Sequence, residues 1–522
     1  MSSAQLDVGV LGGGLAGNLL VRQLLRTIPG LRVGLFEKST EPSYKVGEST
    51  VEIASNYLIR RQGLSRYLYE NHLPKNGLRY FFDDPSRSTE LEEMSEIGTV
   101  NMPFHPAFQI ERARMERDLL EMNRCAGARV ETGVRIHSIE LGADGAPHRF
   151  AATGPGGTER ISCRWLVDAA GRNGLVTRSL DLRVPEPIHR IGAVWGRFEG
   201  VADLDDLGST AFRDRVRQTS RGLSTVHFCY PGYWIWFIPL RGGLTSVGVV
   251  GVPAAEQRGL RSAEGLRRFL DEHRAARSLL ANAKGVDVGS YARIAYGTRH
   301  FFHPDRWALV GEAANSADPL YSPGSDFIAL ENDFLTDLVQ RDANGEAAAA
   351  VAERCTLYDR FMSFRHESTM RLYRGLYGLL GSYELMRMKW DFDISCYYNL
   401  WVSPYMLDQC LDPGFLRRQL RQQRFVLAAL DGFAALFKRA EASLRERGLY
   451  YRANRGVFSR GLENIDFLEE IGLPRSRRQT LEQLTRTFNA VRHRALELIE
   501  AGCASDREDL PLTSFGLDRD LS

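Results

Sequence analysis

The sequence predicts an α/β protein: a parallel crossover fold at the N-terminus, a β-rich subdomain inserted in it, and a helical module after it. Three observations carry this prediction. An apolar run at Val8-Gly-Val-Leu11 leads through Gly-Gly-Gly-Leu-Ala-Gly into a helical pattern, Asn18 to Leu25, and Arg32-Val-Gly-Leu-Phe-Glu37 follows as a second strand. That is a strand, helix, strand unit of about 30 residues, the size of a parallel crossover. From roughly Pro187 to Tyr296 strand-like runs take over, such as Ala193-Val-Trp-Gly-Arg-Phe198, Trp234-Ile-Trp-Phe-Ile238 and Thr245-Ser-Val-Gly-Val-Val250. Beyond about residue 345 the strands give way to segments such as Phe425 to Gly448 and Gln479 to Gly502, with apolar residues at helical spacing between Arg and Glu.

The remaining text refines these elements. At Arg306-Trp-Ala-Leu-Val-Gly-Glu-Ala-Ala314 a buried strand again meets a glycine-marked turn, so the chain returns to its first fold and the insertion is complete. The expected boundaries are 1–345 for that first part, with the insertion at about 187–296, and 346–522 for the helical module. Within the latter, Leu372 to Tyr405 is rich in Tyr, Met, Trp and Leu, which suits either a core or the wall of a cavity for an aromatic or acyl substrate.

Composition bounds the function. With 522 residues, 43% hydrophobic and 25% charged, the chain can bury a large core and a second module. Its net charge of +2 arises from 67 basic and 65 acidic residues spread along the whole length, so no basic field is available for a nucleic acid. The seven cysteines are far apart, with no C-x-x-C pair, and read as reduced thiols; no metal site is expected. Met1 to Asp7 lacks the basic and apolar regions of a signal peptide, and no stretch of about 18 apolar residues occurs, so a cytoplasmic protein without a membrane span is expected.

The first chemistry-bearing constellation is Gly12, Gly14 and Gly17 in G-x-G-x-x-G spacing, with Ala16 inside it and Glu37-Lys38 at the end of the next strand. Glycines permit the tight turn, the approach of backbone to a pyrophosphate and close helix packing; the helix N-terminus supplies N–H donors; Glu37 can accept from ribose hydroxyls. Strand, helix and acid are all at the expected distances, so the first part reads as a Rossmann-type dinucleotide-binding domain.

Further segments resemble the flavin-dependent halogenases, and they select FAD as the cofactor. Lys45-Val-Gly-Glu-Ser-Thr50 is similar to that family's G-E-S/A segment, which implies Glu48 and Ser49 near the isoalloxazine. Trp234-Ile-Trp-Phe-Ile-Pro239 fits the family's W-x-W-x-I-P signature, which implies a catalytic part for Trp234 and Trp236 in keeping substrate from the flavin; alone, it also reads as a buried strand with two aromatic residues on one face. Lys75, in Leu73-Pro-Lys-Asn-Gly77, resembles the family lysine that receives hypohalous acid and holds it beside the substrate. Turn chemistry alone makes it a solvated turn residue. Arg112, at the head of a helix running to Gly127, falls where the family has an arginine near the flavin, or is a surface charge. Leu166-Val-Asp-Ala-Ala-Gly-Arg172 looks like the turn that closes the FAD site, implying Asp168 and Gly171 beside the cofactor.

The segment Gly311 to Gly324 is similar to the family stretch that carries the halide site, implying Gly311, Glu312 and Gly324 at the cofactor and Ser322, Gly324 and Ser325 at the halide. Three positions depart from family usage. Glu312 replaces the usual Asp. Tyr321 stands where tryptophan halogenases carry a glutamate, which argues against free tryptophan as substrate. Pro323 has no N–H to offer an anion.

Three functions stay open. The first is a halogenase of secondary metabolism, using reduced FAD, oxygen and halide on an electron-rich phenol or pyrrole, free or tethered to a carrier protein. With one dinucleotide fingerprint in the chain, it would need a separate flavin reductase. The second is an FAD-dependent monooxygenase or dehydrogenase with a halogenase-like frame and no working halide site, favoured by Pro323. The third is a flavin-binding interaction module without turnover.

Overall fold

In a computed structural model the chain is described over residues 4–460, 468–499 and 509–510. Cys503 and the end of the expected helix at 479–502 lie outside those residues.

The first strand, Ala4–Leu11, is central to a parallel array in the order Trp307–Leu309, Gly157–Asp168, Ala4–Leu11, Val33–Glu37, Arg129–Thr132. Val8, Val10 and Leu11 are fully buried, as a strand covered on both faces requires. Register aligns Leu11 with Asp168 and Phe36, and Asp168 with Leu309, so the carboxyl ends of these strands open at one edge. There the helix Leu15–Thr27 begins. Two antiparallel strands, Arg135–Glu140 and His148–Gly154, extend the sheet beside Gly157–Asp168.

The second sheet contains Gly192–Glu199, Leu244–Gly251, Tyr233–Pro239 and Thr225–Tyr230 as an antiparallel run. It also takes in strands from outside 187–296: Leu78–Phe82 pairs in parallel with Thr225–Tyr230, and Ser95–Ile97 and Phe458–Ser459 follow. Both faces are buried. Trp234, Trp236 and Ile238 point to the main core, while Ile235 and Phe237 pack with Leu266, Phe269 and Leu279 of the helices Ala263–Asp271 and Arg274–Leu279.

The helices Gly324–Ala343, Ala348–Arg371, Tyr383–Cys396, Pro413–Glu446 and Arg477–Ile499 dominate the C-terminal part. The first of them is fastened to the dinucleotide fold, where Gln23 Nε2 donates to Asp333 Oδ1 at 2.6 Å. Tyr383–Cys396 continues into a π-helical stretch, Tyr397–Val402, whose wider turn changes which side chains face inward. Among the described residues no helix is long and apolar enough to cross a membrane.

Candidate active site

The open edge of the first sheet has the shape a pyrophosphate requires. Gly12 has φ +118°, and a Cβ there would lie 2.3 Å from the Ala169 carbonyl oxygen; one on Gly17 would lie 2.1 Å from the Gly12 oxygen. These two glycines serve the turn and the packing of helix on strand. Gly14 differs. It starts the helix with no side-chain cap, and a Cβ on it would meet nothing within 4 Å, so the space in front of the helix N-terminus is clear. Glu37 lies at the next strand end with its carboxylate accepting from the N–H groups of Gly13 (2.7 Å) and Ser39 (2.9 Å). Ala16 packs under this edge, 2.9 Å from where a Cβ on Gly311 would stand, so the Gly311 turn converges on the same place. Lys38 is exposed beside it.

Below Gly311 sits a carboxylate that no sequence motif marks. Glu331 is fully buried, accepts from Gly311 N–H at 2.6 Å and from Asn315 Nδ2 at 3.0 Å, and is pushed up to about 8 by burial. It fixes the turn that Glu312 crowns. Glu312 itself is exposed and pairs with Arg172 at 3.3 Å. Gly171 has open space above it.

Two residues expected at the cofactor are engaged by the scaffold. Asp168 is completely buried, and its oxygens accept from the N–H groups of Ala170, Val176 and Thr177, so it secures the turn after its strand and faces no open space. Arg112 donates to the Val46 carbonyl at 2.8 Å and pairs with Glu116, which also holds Lys45. Its guanidinium therefore clamps the Lys45–Thr50 loop. Glu48 in that loop is buried against Arg197, at 2.8 Å, with burial raising its carboxyl and the guanidinium opposing.

The loop delivers Ser49 to Lys75. Lys75 closes the short strand Leu73–Lys75, paired with Ala107–Gln109, and is 2% exposed, so it is not a solvated turn lysine. Its Nζ donates to Ser49 Oγ and to the Thr50 carbonyl, both at 2.8 Å. Ser322 Oγ lies 3.1 Å from Ser49 Oγ, so the Gly311–Gly324 segment, the Lys45–Thr50 loop and Lys75 meet at one point. Burial lowers the Lys75 ammonium to about 8, with Glu52 and Asp326 acting against that fall. A lysine so placed is neutral in part near neutral pH and can act as a nucleophile or a donor.

Beside this point opens a cavity of about 170 Å³, lined on one side by Lys75, Pro323 and Tyr321 and on the other by the C-terminal aromatic stretch, including Tyr373, Trp390, Tyr397 and Trp401. The wall carries an acid that sequence reasoning missed. Asp393, 2% exposed, accepts from Tyr321 OH at 2.6 Å and pairs with Lys389 through the same oxygen. Its other oxygen, Oδ1, has no hydrogen-bond partner, and burial raises the carboxyl. Tyr321 thus brings to the cavity, through Asp393, a carboxylate that its own side chain lacks. The only sequence signal was the aromatic stripe in which Asp393 sits.

Trp234 and Trp236 do not line this cavity. Each is buried, with Trp234 Nε1 donating to Tyr377 OH at 3.0 Å and Trp236 Nε1 to Ser246 Oγ at 3.2 Å. Trp234 is linked through His227 and Tyr80 to Trp390, a cavity wall residue, by successive ring contacts at 5.0, 4.7 and 5.0 Å between centroids, tilted, stacked and edge-on in turn. Tyr377 in turn donates to Asp318, which also pairs with His189 at 2.6 Å and caps the turn Pro319–Tyr321 through Leu320 N–H. These contacts join Trp234 to the wall and to the turn that presents Tyr321 and Ser322, and Trp236 packs beside it at 5.8 Å between ring centroids.

After that turn, Ser322 is left-handed (φ +54°) and Pro323 starts the helix Gly324–Ala343. Gly324 and Ser325 open the helix, so their N–H groups have no carbonyl one turn back to bond.

Residues 5–319 match the family model for the FAD binding domain. The chain belongs to that family. It is an FAD-dependent oxidoreductase, with FAD as its cofactor, and its resemblance is to flavin-dependent halogenases. The flavin-dependent halogenase chlA of Dictyostelium discoideum is 29% identical over 446 residues, covering 78% of this chain and 72% of that protein. The 1H-pyrrole-2-carbonyl-[peptidyl-carrier protein] chlorinase of Pseudomonas fluorescens is 28% identical over 346 residues, covering 62% of this chain and 73% of that one. Among solved structures, the halogenase PltM in complex with phloroglucinol and FAD superposes with a TM-score of 0.68 at 18% identity, over 98% of both chains, a likeness of fold.

Proposed function

We propose that this flavoenzyme is a halogenase acting on an electron-rich aromatic ring of phenol or pyrrole type, in secondary metabolism. The observation that carries the reading is the buried Lys75 amine, joined through Ser49 to Ser322 and opening on an aromatic cavity. When bound, reduced FAD would supply two of the four electrons that oxygen takes up; the halide gives the other two, leaving hypohalous acid and water. The backbone of Gly12, Gly14, Ala16 and Gly17 holds the pyrophosphate, Glu37 with Lys38 the ribose end, and Glu48, Ser49, Gly171, Gly311, Glu312 and Gly324 surround the rest of the cofactor. Ser322 and the first-turn N–H groups of Gly324 and Ser325 take the halide, the missing donor of Pro323 making chloride a poorer substrate than bromide. Lys75 Nζ holds the resulting hypohalous acid at the cavity mouth. Asp393 Oδ1 accepts the proton of the ring hydroxyl or N–H, raising electron density in the ring as the carbon–halogen bond forms and the halogen–oxygen bond breaks, the oxygen leaving as water with the displaced ring proton.

The dinucleotide fold has one fingerprint, so a separate flavin reductase delivers the reduced cofactor. The test is incubation with FAD, an unrelated flavin reductase, NADH and bromide, with mass spectrometry for brominated phenols. Rapid NADPH oxidation without that partner, or a hydroxylated product formed equally well without halide, overturns the reading in favour of a monooxygenase, for which Pro323 is the supporting observation.

A further inference from the structure

Arg365, on the helix Ala348–Arg371, is a buried cation with no ion-pair partner among the described residues. It is 4% exposed, and its guanidinium lies 3.4 Å over the ring of Trp401. Its side chain makes one hydrogen bond, Nη1 to Thr369 Oγ1 at 3.3 Å, and no ion pair with any described residue. The carboxylate that acts on it most strongly is Asp326, and that group is already engaged by Ala54 N–H at 2.9 Å and Tyr397 OH at 2.9 Å. Burial pushes the guanidinium down to about 10, which leaves it charged at neutral pH. Uncompensated buried charge is costly, and folds keep it where a ligand completes the pair.

The place of Arg365 says which ligand. It lines both the Lys75 cavity and a second cavity of about 240 Å³, and its guanidinium carbon sits 3.4 Å over the ring of Trp401, which lines both as well. The second cavity adds Arg418, Arg475 and Arg477 to its lining and, among the described residues, no Asp or Glu. A guanidinium held flat against an indole keeps its remaining N–H groups free for the two parallel hydrogen bonds that a carboxylate accepts. We propose that Arg365 is the anchor for the carboxylate of an aromatic acid whose ring occupies the Lys75 cavity. The substrate class is then a free hydroxylated aromatic acid rather than a carrier-bound thioester, since a thioester has no negative oxygen pair to offer. This inference rests on the aromatic-substrate reading given above.

Binding separates it from that reading, because it needs no turnover. The FAD-loaded enzyme, without reductant or halide, is dialysed to equilibrium against 2,4-dihydroxybenzoate and against its methyl ester, for wild type, Arg365→Met and Arg365→Lys. Wild type is expected to hold the acid at least tenfold more tightly than the ester. Arg365→Met should bring the acid down to the ester's affinity while moving the ester less than twofold, and Arg365→Lys, which keeps the charge and loses the fork, should fall between. Without ligand, Arg365→Met should melt no lower than wild type, because it removes an unpaired buried charge; the acid should raise the melting temperature of wild type alone. Equal wild-type affinity for acid and ester, no binding of either, a preference that survives in Arg365→Met, or a loss of fold in both variants overturns the anchor. Turnover with reductase and bromide then tells the two readings apart. Halogenated ester at the acid's efficiency leaves the halogenase and removes the anchor; a retained acid preference with no halogenated product does the reverse.

Discussion

Replacing Lys75 with Met is expected to make the protein inactive and, at neutral pH, more stable. Burial lowers the ammonium from 10.5 to about 8. At 1.36 kcal/mol per tenfold change, the folded state carries a penalty of roughly 3 kcal/mol for the charge. The sign follows from a folded pKa below the unfolded one in a base: the penalty is complete below about pH 8 and is relieved as the pH rises from there through 10.5. Methionine keeps the apolar stem, removes the charge, and loses the hydrogen bonds to Ser49 and Thr50, each contributing about 1 kcal/mol. The variant should be about 1 kcal/mol more stable than wild type at pH 7, and that advantage should fall by about 2 kcal/mol by pH 9.5, reversing its sign. Urea unfolding at the two pH values, compared at constant m, reads the difference. In the same samples product formation should drop by about a hundredfold or more while FAD content and flavin reoxidation persist. A stability difference that does not change with pH, or product at the wild-type rate, refutes the reasoning.

Three further predictions test other parts of the site. Gly14→Val should abolish FAD retention with the melting temperature of the FAD-free protein unchanged, since its side chain enters clear space, whereas Gly12→Val should fail to fold stably against the Ala169 carbonyl; equal flavin content in Gly14→Val and wild type would sink the assignment. Asp393→Asn keeps the acceptor toward Tyr321 but removes the base, so turnover of a phenol should fall about ten- to a hundredfold with little change in flavin content; turnover and product yield at wild-type level would make Asp393 a purely structural partner of Lys389. Pro323→Thr restores an N–H at the start of the helix Gly324–Ala343, and a charge-assisted bond of roughly 1.5 kcal/mol should lower the bromide concentration for half-maximal product by about tenfold; an unchanged bromide dependence places the halide elsewhere.

The sequence by itself determined those features whose cause is local. The glycines at 12, 14 and 17 with Glu37 sit within one strand, helix, strand unit, so their spacing alone dictates the turn and its nucleotide use. The alternation of Trp234 and Trp236 with Ile235 likewise follows from the two-residue period of a strand. Only the tertiary structure decided what those side chains meet. Lys75 reads as a turn residue because its partners Ser49 and Thr50 lie about 25 positions away, and Ser49 in turn bonds Ser322 from a distant segment. Asp168 and Arg112, expected at the cofactor by position, hold turns and loops through hydrogen bonds that sequence position does not reveal. Leu78–Phe82 joins the second sheet by parallel pairing with Thr225–Tyr230, a contact across more than a hundred residues that no local pattern encodes. Asp393 and Arg365 were silent for the same reason: on a single helix each is one charge among many, and it becomes distinctive only when packing removes water and leaves one oxygen of the first without a hydrogen bond and the second without an ion-pair partner among the described residues.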